Sequence, residues 1–220
     1  MLPGPDLIIE CPACHAPARV QTLESGNTLG ATLWTDGKMI APMLPEFPEL
    51  TSCRNCGRYF WISDAKVLAE LERRHPESRA IPAHWESAEV VKELSAAEYL
   101  EALETGVARK REQELYIRLH AWWAANDSYR SSGKTTRKKS TNPPQRSPEA
   151  TMNLERLLDL LDVTDPEERL MKAEVLRELG RFDDALELFD FDFPKDYAAA
   201  AAFIRNLAEN KDPLVREFAF

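Results

Sequence analysis

The chain contains four cysteines, and all four fall in two Cys-x-x-Cys pairs: Cys11 and Cys14 in CPAC, Cys53 and Cys56 in CRNC. Two intervening residues let a pair of sulfurs turn toward one point. Two such pairs supply the four thiolates of a tetrahedral zinc site, with Zn–S of about 2.3 Å. Gly57 directly follows Cys56 and suits a knuckle turn that needs positive φ, while Pro12 stiffens the first knuckle. The pairs are separated by 38 residues, more than the roughly 15–20 usual for such sites. Closing a loop about twice as long adds only about 0.7 kcal/mol. A structural zinc ion contributes on the order of 10–16 kcal/mol, so the spacing is no obstacle if the insert folds back. The expected ligands are Cys11, Cys14, Cys53 and Cys56 around one structural Zn2+ per chain. Such a closed shell leaves no open position for a water, so zinc catalysis is not expected.

Two disulfides, or a reactive dithiol, are the competing readings. The opening MLPGPDLIIECPAC has no basic n-region and only a short apolar stretch, so no secretory leader is expected. That favours a reducing, cytoplasmic setting and disfavours disulfides. A redox Cys-x-x-Cys is normally single and precedes a helix in a βαβ unit. His15 adjoins Cys14 and offers a substitute ligand, but four thiolates leave it as a solvated neighbour.

Leu7–Glu10 and Ala18–Thr22 read as short strands around the first knuckle, and Tyr59–Ile62 as one after the second. This plan, carried by CPAC and CRNCG, resembles a zinc ribbon over about the first 65 residues, with an unusually long insert. Within the insert, ATLWTDGKMIAPM predicts a hairpin turning at Asp36-Gly37. Pro42, Pro45 and Pro48 then keep the chain extended. Met39, Ile40, Met43, Leu44 and Phe47 are expected to cover the ribbon or dock on later helices. The alternative is an exposed apolar strip that binds a partner.

The remainder is mainly helical. Ser63 can cap a helix from Asp64 that stops before Pro76, and a connector with His75 and His84 follows. Ser95-Ala-Ala-Glu98 is a capping box for a helix that pauses near Gly106. A long helix then spans about Ala108 to Tyr129, with Leu115, Leu119, Trp122 and Trp123 at helical spacing and His120 among aromatics. One of the two tryptophans is expected in the core. No catalytic arrangement surrounds His120.

Residues 130–148 hold six basic residues and no acid, among Ser, Thr, Asn, Gly and Pro. This composition reads as an extended linker. It is a solubilising tether, a phosphate-contacting segment through Arg130, Lys134, Arg137, Lys138, Lys139 and Arg146, or a strand docked on the acidic C-terminal part. From Ser147 onward there are 18 acids and 9 bases, most of the acids expected on a solvated face. Leu154, Leu157, Leu158 and Leu161 mark one helix, and Thr164-Asp-Pro-Glu167 opens the next. In AEVLRELGRFDDALELFD, Ala173, Leu176, Gly180, Phe182, Ala185 and Phe189 stand at the packing positions of a helical hairpin. The stretch resembles one tetratricopeptide repeat. A single unit cannot bury its own face, so Tyr197–Leu207 and Pro213–Phe220 are expected to pack beside it as helices.

The expected fold class is α+β: a small β zinc ribbon followed by a mainly α-helical, tetratricopeptide-like region. The expected divisions are a ribbon with its insert (1–65), a helical region (66–129), a basic flexible linker (130–148) and a tetratricopeptide-like domain (149–220). No apolar run approaches the roughly 18 residues of a membrane span, so no membrane partner is expected. P-loop, GxGxxG, HExxH and nucleophile-elbow motifs are all absent from the sequence. The combination resembles bacterial zinc-ribbon/helical-repeat proteins. It implies a non-enzymatic, cytoplasmic interaction or scaffold protein whose helical surfaces bind protein partners. The alternative is a nucleic-acid-associated regulator using the ribbon and the basic linker. Against it, residues 1–65 hold 7 acids and 4 bases, and the whole chain carries −9.

Overall fold

The computed structural model describes residues 1–71, 82, 85, 87–130 and 146–218. It is an α+β structure that divides into two compact units. The β-rich unit comprises Met1–Ala31, Ile40–Leu94 and Glu101–Val107, and the helical unit comprises Thr32–Met39, Ser95–Leu100 and Ala108–Phe220.

In the β-rich unit, strand β2 (Asp6–Glu10) lies between β3 (Pro17–Val20) and β9 (Lys66–Leu71), antiparallel to both. Successive residues of a strand face opposite sides of a sheet. Ile8 and Ile9 are both almost fully buried, so both faces of β2 are covered. A second pair, β7 (Leu50–Ser52) and β8 (Tyr59–Trp61), carries the other knuckle. β1 (Leu2–Pro3) and β4 (Leu23–Ser25) form a small ribbon at the N-terminus, and β5 (Thr32–Leu33) pairs with β6 (Met39–Ile40) in the insert's hairpin. The core joins Ile9, Val20 and Phe60 to Cys11 and Cys53. On its far side β3 is bridged in parallel by the segment near Val90: Arg19 donates to Glu89 and accepts from Val91, both at 2.8 Å.

The helix expected from Asp64 is not formed. Ile62–Asp64 makes one 3-10 turn, and Lys66–Leu71 runs as strand β9. The physical reason is the hydrogen-bond demand of β2. A buried central strand needs partners on both edges, and this outweighs the helix propensity of KVLAEL. The insert's apolar side chains also depart from expectation. Met39 and Ile40 are each 42% exposed, and Met43 and Leu44 each 37%, while Phe47 is half-buried and the small Ala41 is buried. Met39–Ile40 forms only a short two-residue strand, and beyond it prolines 42, 45 and 48 punctuate a stretch with no regular element to lay it on a core.

The helical unit is built on α2 (Arg111–Arg130), α3 (Pro148–Leu160), α4 (Pro166–Glu178), α5 (Phe182–Glu187) and α6 (Lys195–Glu209). Helix α1 (Ala96–Glu104) begins in this unit and ends in the β-rich one. Its capping box forms as expected. Glu98 accepts from the Ser95 amide at 2.9 Å, and the Ser95 hydroxyl accepts from the Glu98 amide at 3.3 Å. Ser147 caps α3. Asp165, rather than Thr164, caps α4, because its carboxylate reaches the amides of both Glu167 and Glu168 at 2.9 Å. Gly180, with φ +78, makes the tight turn between α4 and α5. One core cluster gathers Trp122, Leu154, Leu157, Val175, Leu176, Ala185 and Ala208. A second gathers Ala173, Phe189, Ala201, Ile204 and Phe218.

Pro213–Phe220 does not form the expected helix over the residues described. Leu214 and Asp212 give their carbonyls to the Arg177 guanidinium, which removes acceptors a helix would need. The tail then lies alongside the insert's hairpin: Phe218 donates to Leu33 at 2.9 Å and Thr35 to Arg216 at 2.8 Å. Among the described residues no helix is long and apolar enough to cross a membrane.

Candidate metal centre

The two knuckles are built alike. Cys11 lies at the end of β2 and Cys53 at the end of β7, and the chain returns in each case by the same bonds. His15 donates to the Cys11 carbonyl at 3.0 Å, as Gly57 does to Cys53 at 2.7 Å. Cys11 donates to Ala16 at 2.9 Å, as Cys53 does to Arg58 at 2.8 Å. Each knuckle therefore needs a left-handed residue after its second cysteine. Gly57 supplies it at φ +75, and His15 adopts it at φ +58 despite its Cβ. The His15 side chain is 72% exposed and lies 3.7 Å from Glu10, outside the sulfur cluster, as a solvated neighbour should.

The four sulfurs meet. Cys11 Sγ lies 3.8 Å from Cys56 Sγ, and Cys14 Sγ lies 3.6 Å from Cys53 Sγ. All four lie within 4.8 Å of one another. These separations exceed an S–S bond of about 2.05 Å, so no disulfide joins the pairs. A tetrahedral ion with metal–sulfur bonds of about 2.3 Å sets its sulfurs about 3.8 Å apart, close to the Cys11–Cys56 and Cys14–Cys53 separations. Cys11 and Cys53 are buried, Cys14 is half-buried, and Cys56 is exposed.

The surroundings suit thiolates as well as thiols. The Ala13 and Cys14 amides point at Cys11, and the Asn55 and Cys56 amides point at Cys53. The Ala13 contact measures 3.4 Å, and the Asn55 side-chain amide donates to Cys14 at 3.5 Å. With further help from the Ala16 amide, Asn55 brings Cys14 down to about 6. Burial moves Cys11 and Cys53 the other way. Four sulfurs this close cannot all ionise unless a cation balances them. The donor set, the separations and the amide cradle together fit a structural metal ion.

The basic segment gives a divided result. Its first and last members are taken up inside the helical unit. Arg130 sits bidentate on the buried Asp36, at 2.9 and 2.6 Å, and its Nε reaches Asp127 at 2.9 Å. Arg146 pairs with the buried Glu178 and with that residue's carbonyl at 2.6 Å. Lys134, Arg137, Lys138 and Lys139 lie outside the described residues, as do His75 and His84.

Sequence reasoning missed this buried charge network. Glu174, Arg177 and Glu178 are essentially inaccessible, although the acids of this region were expected mostly on a solvated face. Arg177 pairs with Glu174, its Nε reaching the carboxylate at 2.7 Å. Asn126 bridges the two anionic sites, donating to Asp36 and to Glu178 at 3.0 Å each. Trp122 is the core tryptophan, and its indole donates to Glu178 at 2.9 Å. Trp123 donates to the Asp36 carbonyl at 2.9 Å. Burial, with the nearby Glu174 and Asp36 carboxylates, pushes Glu178 up to about 8 against the pull of Arg146. His120 packs on Tyr116 at 3.8 Å between centroids and donates from Nδ1 to that residue's carbonyl at 2.8 Å, a packed role. The one sequence signal for the network was Asp36 itself, which reads equally well as a hairpin residue.

No family model, curated protein or solved structure matches this chain.

Proposed function

We propose that the protein is a non-enzymatic interaction or scaffold protein. Its four cysteines hold a structural zinc ion in a ribbon-like unit, and its tetratricopeptide-like helices engage a protein partner. The reading rests on the convergence of Cys11, Cys14, Cys53 and Cys56 with tetrahedral separations. Zinc bound there would neutralise the thiolates and clamp the two knuckles. With every coordination position filled by sulfur, it would have none left for a substrate. The Cys11 and Cys53 thiolates would be held by backbone amides, and Cys14 by Asn55.

The partner reading is supported by the half-exposed apolar residues Met39, Ile40, Met43 and Leu44, large side chains that an isolated chain gains nothing by presenting to water. The nucleic-acid alternative is weakened, because Arg130 is paired with the buried Asp36 and Arg146 is held against Glu178 inside the helical unit. Metal analysis of protein purified without chelators tests the carrying observation and should return one zinc per chain. Cobalt substitution should give the charge-transfer and d–d absorption of a tetrahedral four-thiolate ion. A count near zero, or an octahedral cobalt spectrum, would overturn the reading.

A further inference from the structure

The chain between Cys14 and Cys53 leaves the β-rich unit and comes back. Its ends belong to that unit, while Thr32–Met39 belongs to the helical unit. This middle segment is an integral part of the helical unit. Thr35 and Asp36 are buried, at 4% and 0% exposure. Asp36 supplies the carboxylate for Arg130 and an acceptor for Asn126, and its carbonyl satisfies Trp123. The Thr35 hydroxyl accepts from the Arg216 amide at 3.0 Å, and Lys38 reaches Asp127 at 3.0 Å. Withdrawing the segment would leave the buried Arg130 guanidinium without its main partner and the buried Asn126 amide with Glu178 alone, a costly event in a protein interior.

We propose that metal occupancy at the four cysteines is relayed to the helical unit through this strap, so that binding the ion favours docking of Thr32–Met39 and losing it loosens the helical unit. The proposal rests on the four-cysteine metal reading. The relay needs only the chain itself. With the ion bound, both ends of a 38-residue stretch are pinned to one another, so its middle has less conformational freedom to lose on docking. Without the ion the knuckles lose their clamp, the flanks of the strap gain conformational freedom, and docking must reclaim it. Linkage makes the effect reciprocal: whatever factor the metal adds to docking, docking adds to metal affinity.

Two measurements on the full chain test this. Amide exchange followed by mass spectrometry is run on zinc-loaded protein and on protein stripped by chelator under reducing conditions. The expected result is that peptides covering 32–39 and 121–130 lose protection about tenfold, together with those around the knuckles. Loss confined to 1–31 and 40–71 would overturn the relay while leaving the metal centre intact. Failure of the protein to bind zinc at all would overturn the metal reading and the relay with it. In the second measurement, zinc is titrated against a competing chelator with the Asp36→Asn variant. Stoichiometry should remain one while affinity falls about tenfold. Unchanged affinity would refute the relay, and the exchange comparison on unaltered protein decides the matter if the variant does not fold.

Discussion

Replacing Asp36 by asparagine tests how the helical unit is held together. Asn preserves the side-chain volume and one oxygen, so it can still accept from the Lys38 amide, which lies 3.2 Å from the Asp36 carboxylate. What it removes is the negative charge facing Arg130, whose side chain is 4% exposed against 0% for Asp36. Breaking one partner out of a buried pair costs about 3–5 kcal/mol, because the remaining charge stays desolvated. Arg130 keeps Asp127 at 2.9 Å and the Trp123 carbonyl at 3.2 Å, and Asp127 is half-exposed. These residual contacts place the loss near the lower end, about 3 kcal/mol. With a urea dependence of about 1–3 kcal/mol per molar, the unfolding midpoint should fall by roughly 1–3 M. The assay is urea denaturation followed by circular dichroism and by the summed fluorescence of the five tryptophans, Trp122 and Trp123 among them. Adding Arg130→Met removes the stranded cation, so the double variant should recover more than half of the loss. A single-variant loss below about 1 kcal/mol, or a double variant no better than the sum of its parts, would refute the assignment of a buried, mutually dependent pair.

Three further outcomes are expected. His15→Gly should raise the stability of the metal-loaded protein by up to about 1 kcal/mol and Gly57→His should lower it by a similar amount, since both positions are left-handed and only one has a glycine; equal midpoints in chemical denaturation would contradict the strain argument. Ser95→Ala should destabilise α1 by about 1 kcal/mol through loss of the capping box, and an unchanged unfolding midpoint would contradict it. Glu178 is held up to about 8 in the folded chain, chiefly by burial. A raised folded-state value means that its contribution is fully present below the ordinary carboxylate range and is lost as pH rises through about 8. The difference in thermal midpoint between the native chain and Glu178→Gln should therefore shift against the native chain between pH 6 and pH 9, a window that keeps the thiolates metal-competent. No shift across this window would show that Arg146 keeps Glu178 ionised throughout.

The four-cysteine cluster was legible in the sequence because its determinants are local. Cys-x-x-Cys fixes two sulfurs through a single turn, and Gly57 announces the turn's handedness. Caps were legible for the same reason: Ser95 with Glu98, and Gly180 at a helix end, act within four residues. Elements whose state depends on distant partners were misread. KVLAEL became strand β9 because β2 required a second neighbour, a demand raised about 60 residues earlier in the chain. Pro213–Phe218 remained extended because Arg177 claims its carbonyls, and a buried arginine in a helix is indistinguishable from a solvated one by periodicity alone.

Asp36-Gly37 shows the limit most clearly. The pair predicts a tight turn, and a turn is found: Gly37 has φ +84 and donates to the Trp34 carbonyl at 2.8 Å. The local reading is complete in itself, yet it omits what the carboxylate is for. Turn aspartates are usually exposed, whereas this one is wholly buried beneath Arg130 and Asn126. An anion can be carried so deep only if a cation is already committed to meet it. The commitment runs in both directions, since Arg130 closes α2 at the end where the helix dipole favours a cation but is too buried to rely on water. A long insert between two metal knuckles thus does more than span a gap. It contributes a charge without which the helical unit keeps a desolvated arginine, and the proposed relay from the four cysteines rests on this dependence.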